Sequence, residues 1–233
     1  MDTKLLRVVA SVPIKKNSER VPRKNFCHYD GEPLYQRTLK TLFSVVHIDK
    51  IIVDTDSEEI MDWCEAWESD HPPNPHRPVR PQFVVLKRDT DKIKPWNNGG
   101  YIMAHHRDLM GENYADLWVH TYAIAAGLTA ERIEMAINVL KFNPYFDSVF
   151  AAREIESKFV WHNGTPLYHI KDFGRTQDWP DMLVKETDSL YVIRDKALKH
   201  TRARVGIRPF PMIVDEREDV HIDYPADLPR GAE

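Results

Sequence analysis

Between Val12 and Asn25 the chain reads VPIKKNSERVPRKN, which sets Lys15, Lys16, Arg20, Arg23 and Lys24 within one short loop and puts Asn17 and Ser18 among them. Five cations with small polar donors between them suit a ligand that carries several negative charges, a polyphosphate above all. The loop is not a Walker-type loop, because GxxxxGK[ST] is missing, and it is not a dinucleotide fingerprint, because GxGxxG is missing. Four other places hold residues able to do chemistry: the run Thr55-Asp56, Arg88, His120, and the pair His221 and Asp223.

These residues need elements to hold them. LLRVVASVPI, directly before the basic loop, is apolar and β-branched without alternation, the pattern of a strand buried on both faces. EPLYQRTLKTLFSVVH spaces Leu34, Leu39, Leu42, Phe43 and Val46 as a helix does, and DKIIVDTDS reads as a second buried strand. SEEIMDWCEAWESD opens with Ser57 as a cap and two glutamates in the first turn, which predicts a helix. HPPNPHRPVRP, with its prolines, predicts a loop before a third strand, QFVVLKR. A helix is expected from about Asn98 to Met110, a strand in YADLWVHTY, a helix capped by Thr129, and a fifth strand in FDSVFAARE. Strand and helix alternate in this way to about residue 155, which predicts an α/β fold, Rossmann-like and doubly wound around a mostly parallel sheet. In such sheets ligands bind beyond the carboxyl ends of the strands, where the basic loop lies.

The 233 residues suit one domain, 1–233, interrupted at about 156–185 by an aromatic, turn-rich stretch that reads as an inserted arm. A net charge of −4 argues against nucleic acid or an anionic membrane as partner, because both need a basic field over the whole surface. Cys27 and Cys64 read as two reduced thiols, and no stretch has the apolar length of a membrane helix or a signal peptide, so a cytoplasmic protein is expected. His105 and His106 are adjacent and cannot share one helix face, and no HExxH or Cys/His cluster exists, so structural zinc is not expected.

The loop VPIKKNSERVPRKN, with GEPLYQRTLKTLFSV and IDKIIVDTDSEEI after it, resembles the CMP-sugar-acid synthetases, the acylneuraminate cytidylyltransferases and their relatives for other 2-keto sugar acids. Pro13, Ser18, Arg20, Pro22, Lys24 and Asn25 fall on that family's opening motif, Gly31, Pro33 and Leu34 on its GxPL, and Thr55 through Ile60 on its STDSEEI, with Asp54 at the serine. LKRDTDKI, FDSVFAAREIE, RTQDWPDMLVKETDSLYVIRDKAL and VHIDYPADL follow in the family's order.

The resemblance implies a nucleotide-diphospho-sugar transferase type of fold with a dimerisation arm. It implies transfer of CMP from CTP to an anionic acceptor, such as a sialic-type nonulosonic acid, with release of pyrophosphate and with Mg²⁺ as cofactor. Such a reaction depends more on charge stabilisation than on covalent chemistry. Lys15 and Lys24 then serve the triphosphate; Pro13, Ser18, Arg20, Asn25, Thr55, Asp56, Arg88 and His120 serve the nucleotide; Asp223 holds the metal. Lys158, Arg175, Gln177 and Lys185 are expected at the acceptor, and Trp161, Tyr168 and Trp179 in contacts of a homodimer. Taken alone, Asp223 also reads as a helix cap before PADL.

The departures from the family pattern bear on function. Asn17 stands where a glycine is usual and is expected to take over its left-handed turn. Lys15 replaces an arginine, keeping the charge but losing the bidentate fork. WVHTYAI replaces LQPTSPL, with His120 at the glutamine, which leaves a small phosphonate as an alternative acceptor. His221 stands where the sialic-acid branch has a second aspartate, and a neutral imidazole is a poor ligand for a hard cation. Either one carboxylate suffices, or Asp215 or Asp219 assists, or His221 is a base for the attacking hydroxyl; the first is preferred. A nucleotide-binding relative without catalysis is the remaining alternative.

Overall fold

The structure is a computed structural model and describes residues 6–72, 81–94, 98–155, 161–166 and 183–227. Its centre is a seven-stranded sheet. β1 (Val8–Ile14) is followed by a single 3₁₀ turn and by a small hairpin of β2 (His28–Tyr29) and β3 (Glu32–Pro33), and then by α1 (Leu34–Ser44). Next come β4 (Lys50–Thr55), α2 (Glu58–Asp70), β5 (Gln82–Lys87), α3 (Gly99–Met110), β6 (Leu117–His120), α4 (Ala130–Phe142) and β7 (Ser148–Glu154). A second hairpin, β8 (Trp161–His162) with β9 (Thr165–Pro166), precedes β10 (Val184–Arg194), α5 (Asp195–Thr201) and β11 (Pro209–Ile213).

The sheet order is β11-β7-β10-β6-β1-β4-β5. β1 pairs parallel with β4 and β6, β4 with β5, and β7 with β11; only β10 runs antiparallel, between β6 and β7. The expected mostly parallel α/β sheet is therefore present, and a single reversed strand carries the chain back into it after the arm.

Helices cover both faces, and the strands are apolar on both for that reason. Val8, Ala10, Val12 and Ile14 of β1, with Ile51, Val53, Leu117 and Val119, face α1, α2 and α4 in the larger core. Val9, Ile52, Trp118 and Ile193 face α3 and α5 through Met103, Ala104 and Leu198. By alternation, the next residues along this second face are Ser11 on β1, Asp54 on β4 and His120 on β6. All three are fully buried polar side chains near the carboxyl ends of their strands. An apolar face thus turns polar where a ligand would lie.

Two local expectations need correction. Ser57 sits at the start of α2, but its hydroxyl caps nothing and is buried without a partner; the Ser57 N–H donates instead to Oγ1 of Thr55 (3.1 Å). Asn17 does not take a left-handed conformation. Arg23 does (φ 52°), at the head of the 3₁₀ turn Lys24–Phe26. Thr129 does cap its helix, accepting from the N–H of Arg132, and Asn98, expected only as the start of a helix, caps α3 by accepting from the N–H of Tyr101. Of the stretch 156–182, the hairpin at Asn163-Gly164 is the part described: both residues have positive φ (47° and 80°), which matches the tight primed turns that Asn-Gly favours. Cys27 and Cys64 are free, and burial pushes the Cys64 thiol up to about 12, which keeps it unreactive at neutral pH.

Candidate active site

At the carboxyl ends of β1, β4 and β6 a cavity of about 490 Å³ opens. The first loop supplies one wall with Pro13, Lys15, Asn17, Ser18, Glu19, Arg20, Lys24 and Asn25; Asp56 and Arg88 stand on another, Asn98, Gly99 and Ile102 of the α3 start on a third, and Tyr122, Ala123, Ile124 and Asp223 close it.

The basic loop is held in shape by its own polar groups. Nδ2 of Asn25 donates to the carbonyl of Lys15 (2.8 Å) and ties the loop's two ends together. The N–H of Lys16 donates to Oδ1 of Asp56 (2.6 Å), fastening the loop to the end of β4. The five cations then divide. Lys15, Arg20 and Lys24 line the cavity. Arg23 turns away to Glu59 of α2 (2.9 Å) and lies over the Phe26 ring.

Opposite the loop, Oδ1 of Asp223 accepts from Nζ of Lys24 (3.2 Å) and Nη1 of Arg20 (3.3 Å). Lys24 also donates to the carbonyl of Ile222. Asp223 is thus fixed by cations rather than serving as a helix cap; the cap of the turn that follows it is Asp227, whose carboxylate accepts from the N–H groups of Asp223 and Tyr224. Lys15 makes no ion pair among the described residues. Burial, and then the nearby Arg88 guanidinium, push the Lys15 ammonium below the ordinary lysine value. Cations gathered more closely than their counter-ions leave room for an added anion.

At the start of α3, Asn98, Gly99 and Gly100 bring the helix end hard against its neighbours. A Cβ on Gly99 would lie 2.3 Å from both Nε2 of His120 and the hydroxyl of Tyr122, and one on Gly100 would lie 2.8 Å from the Ala203 backbone. Tyr122 takes hydrogen bonds from the Gly99 N–H and from Nη1 of Arg204 (3.2 Å). Burial raises the pKa of its hydroxyl, so it remains a neutral donor and acceptor on the wall.

Of the residues singled out in the sequence, ten meet at this cavity: Pro13, Lys15, Asn17, Ser18, Arg20, Lys24, Asn25, Asp56, Arg88 and Asp223. Five do not, and each has a physical reason. Thr55 points into the core and is spent on the Ser57 N–H. His120 lies on the inward face of β6, fully buried under Gly99 and off the cavity lining, with Nδ1 3.4 Å from Oγ of Ser11; burial drives its pKa down to about 3, so it is a neutral group beneath the floor. His221 bridges to Ala125 and keeps its ring off the cavity, with a buried Nε2 that has no partner, so it is not placed as a base for an attacking hydroxyl. Asp215 caps the turn of Arg217 and Glu218, and so does not assist Asp223. Lys185 is exposed on β10 across from Arg153, outside the cavity. Lys158, Arg175 and Gln177, like Tyr168, Trp179 and the Trp161 side chain, lie outside the described residues.

Sequence reasoning missed the α3 start, Tyr122 and Arg204. The signal for the first was present: two glycines at the head of a helix sacrifice propensity and imply close approach. Tyr122 and Arg204 are 82 positions apart, and no local pattern joins them. Among the described residues no group of three or more His, Cys, Asp or Glu side chains converges on a metal position, and no helix is long and apolar enough to cross a membrane.

Residues 9–69 match a family model described as cytidylyltransferase. Over 62 residues, 27% of this chain, the sequence is 36% identical to a 3-deoxy-manno-octulosonate cytidylyltransferase of Chlorobium limicola; that stretch spans 25% of the relative's length. The fold is similar to that of a CMP:2-keto-3-deoxy-manno-octonic acid synthetase solved in complex with CTP, at a TM-score of 0.62 and 15% identity over 95% of both chains. It is similar as well to a 4-diphosphocytidyl-2C-methyl-D-erythritol synthase from Anaerococcus prevotii, at a TM-score of 0.61 and 10% identity over 95% of this chain and 93% of the other. The matched segment carries the basic loop, β4 and most of α2, and the fold is similar to those of the synthetase and the synthase.

Proposed function

We propose that this protein is a CTP-dependent cytidylyltransferase that transfers CMP to an anionic acceptor of the 2-keto sugar acid class. The observation that carries the reading is the cavity beyond β1, β4 and β6, where Lys15, Arg20, Lys24 and Arg88 converge and a polyanion would find its counter-charges. A triphosphate is such a polyanion. The cytidylyltransferase match covers the loop from which three of the four cations come.

In the proposed reaction an acceptor hydroxyl attacks the α-phosphorus of CTP. A new P–O bond forms, the bond to the bridging oxygen breaks, pyrophosphate departs with that electron pair, and the hydroxyl proton passes to water. Lys15 and Arg20 neutralise the oxygens on which charge builds, and Lys24, held by Asp223 and the Ile222 carbonyl, adds a third charge at fixed position. Asn25 and Asp56 keep the loop closed around the phosphates. The chemistry of Asp223, one hard oxygen donor facing the cavity, fits Mg²⁺ of the kind held by a single carboxylate with phosphate oxygens and water, which supplies Lewis-acid polarisation of the α-phosphate. The wall of Tyr122, Ala123 and Ile124 is left for the acceptor, with Arg204 behind Tyr122. The reading includes a homodimer, which light scattering tests directly.

The test is pyrophosphate release with Mg²⁺, each of the four nucleoside triphosphates in turn, and a panel of acceptors: 3-deoxy-octulosonic acids, sialic-type acids and small phosphonates. Release with CTP alone and with one acceptor class is expected. Release only with a phosphonate would replace the acceptor class, and CTP binding without turnover would favour a non-catalytic relative. Absence of CTP binding would remove the proposal.

A further inference from the structure

Beneath the cavity floor runs a chain of buried polar groups that the proposed reaction does not itself use. Asp54 is the penultimate residue of β4 and is 1% exposed. Its carboxylate accepts from Nε of Arg88 (3.2 Å to Oδ1) and from Nη2 (3.0 Å to Oδ2). The same Nη2 reaches the carbonyl of Asp54 (3.2 Å), and the Arg88 N–H donates to the carbonyl of Thr55 (2.9 Å). On the far side, Nε2 of His106 lies 3.4 Å from Oδ2 of Asp54, a Coulombic contact. Nδ1 of His106 meets Oγ of Ser11 at 2.9 Å.

This geometry consumes one edge of the guanidinium completely and leaves the other end free. Arg88 is 7% exposed, lines the cavity, and its Nη1 is buried with no partner. An arginine fork presents its donors in fixed directions, so holding Nε and Nη2 sets the direction of Nη1. A buried donor without an acceptor is costly, and folded proteins keep few of them unless a ligand completes them. The pair is buried, with side chains 3% and 2% exposed, and Arg88 is held by the Asp54 carbonyl as well as by its carboxylate. At the position of Asp54 the family pattern has a serine, which cannot grip a guanidinium along an edge.

We propose that Asp54, backed by His106 and Ser11, is a positioning residue that aims Nη1 of Arg88 at an acceptor oxygen of the bound nucleotide. The inference rests on the nucleotide reading of the cavity. Asp54 touches no ligand; it acts by fixing direction and by cancelling the charge of Arg88 beside Lys15. Nucleotide binding then gives Nη1 an acceptor at the end of a chain of contacts that runs from Ser11 through His106 and Asp54 to Arg88.

A double-mutant cycle read by calorimetric titration of CTP tests this without any need for turnover. Four proteins are compared: wild type, Asp54→Ser, Arg88→Ala and the double variant, with thermal melting run alongside. Asp54→Ser is expected to weaken CTP by about tenfold or more when Arg88 is present and by less than about twofold when Arg88 is alanine. Equal losses in both backgrounds would show that Asp54 acts only through stability of the fold, and no loss in either would show that Arg88 needs no positioning; each overturns the inference. Where Asp54→Ser does not fold, Asp54→Asn, of the same shape, carries the same comparison. Wild type that fails to bind CTP overturns the nucleotide reading and this inference with it; wild type that binds CTP with a flat cycle overturns the inference alone.

Discussion

Nζ of Lys24 lies 3.2 Å from Oδ1 of Asp223, and the two residues are 199 positions apart. The contact closes the basic loop of the first strand against the last described segment of the chain. It also pairs a cation suited to phosphate with the carboxylate proposed for Mg²⁺, so the two proposed roles are opposed while this pair is intact. Asp223→Asn is expected to cut turnover by roughly a hundredfold while leaving CTP affinity equal or higher, because Lys24 and Arg20 are released to the triphosphate. Pyrophosphate release and calorimetry on the same preparation separate the two effects. A parallel fall in both would mean that Asp223 only shapes the loop.

Lys15 gives a pH dependence of definite sign. Burial and Arg88 hold its ammonium below the ordinary lysine value in the free protein, and a bound triphosphate raises it again. Binding therefore takes up a proton over the interval between the two values. CTP affinity is expected to be full below the free-state value, to fall as pH rises through that interval, and to level off above it. Lys15→Arg stays charged across the range, so its affinity should remain flat where wild type falls. Identical pH profiles for the two proteins would remove Lys15 from the phosphate site.

His120 sets an acid limit on stability. In the unfolded chain its imidazole has an ordinary pKa of 6.5; in the fold, burial brings it to about 3. As pH falls below 6.5 the unfolded chain takes up a proton that the folded chain refuses, so stability drops through that window and levels off near 3. Between pH 6.5 and 5 the loss amounts to about 2 kcal/mol. His120→Gln, which puts a neutral amide at the same place, is expected to be less acid-sensitive by about that amount in urea unfolding at the two pH values. Equal acid sensitivity would show that His120 titrates as it does in water.

Gly99 sets two effects against each other. Alanine at a helix position is ordinarily favourable by about 0.5–1 kcal/mol over glycine. Here its Cβ would sit 2.3 Å from Nε2 of His120 and from the Tyr122 hydroxyl, so something fully buried must move, which costs roughly 1–3 kcal/mol or more. Sterics should win: Gly99→Ala is expected to melt several degrees lower and, by tilting Tyr122, to raise the acceptor KM more than the CTP KM. A higher melting temperature would show that the α3 start has slack.

Much of this was legible in the sequence because its signals are local. The apolar runs of β1 and β4, the spacing of Leu34, Leu39 and Leu42, and the cap Thr129 each act within a few residues. So does the loop from Lys15 to Asn25, whose position after a buried strand already implied a site at the sheet's edge. The same local logic failed where one residue's environment is supplied from far away. Arg23, not Asn17, takes the left-handed turn, and its side chain meets Glu59 of α2 and the Phe26 ring.

What the chain alone determined was the order of strands and helices and the collection of cations in one loop. What only the tertiary structure decided was which polar residue faces the ligand and which supports it from below. Ser11, Asp54 and His120 share one face of three neighbouring strands, and alternation put them there. But that this face meets His106 of α3, rather than water, follows from packing across the sheet between residues 95 positions apart. Burial then settled their chemistry. It keeps His120 neutral and spends Asp54 on Arg88, while Lys15, with no counter-ion of its own, is left facing an open cavity.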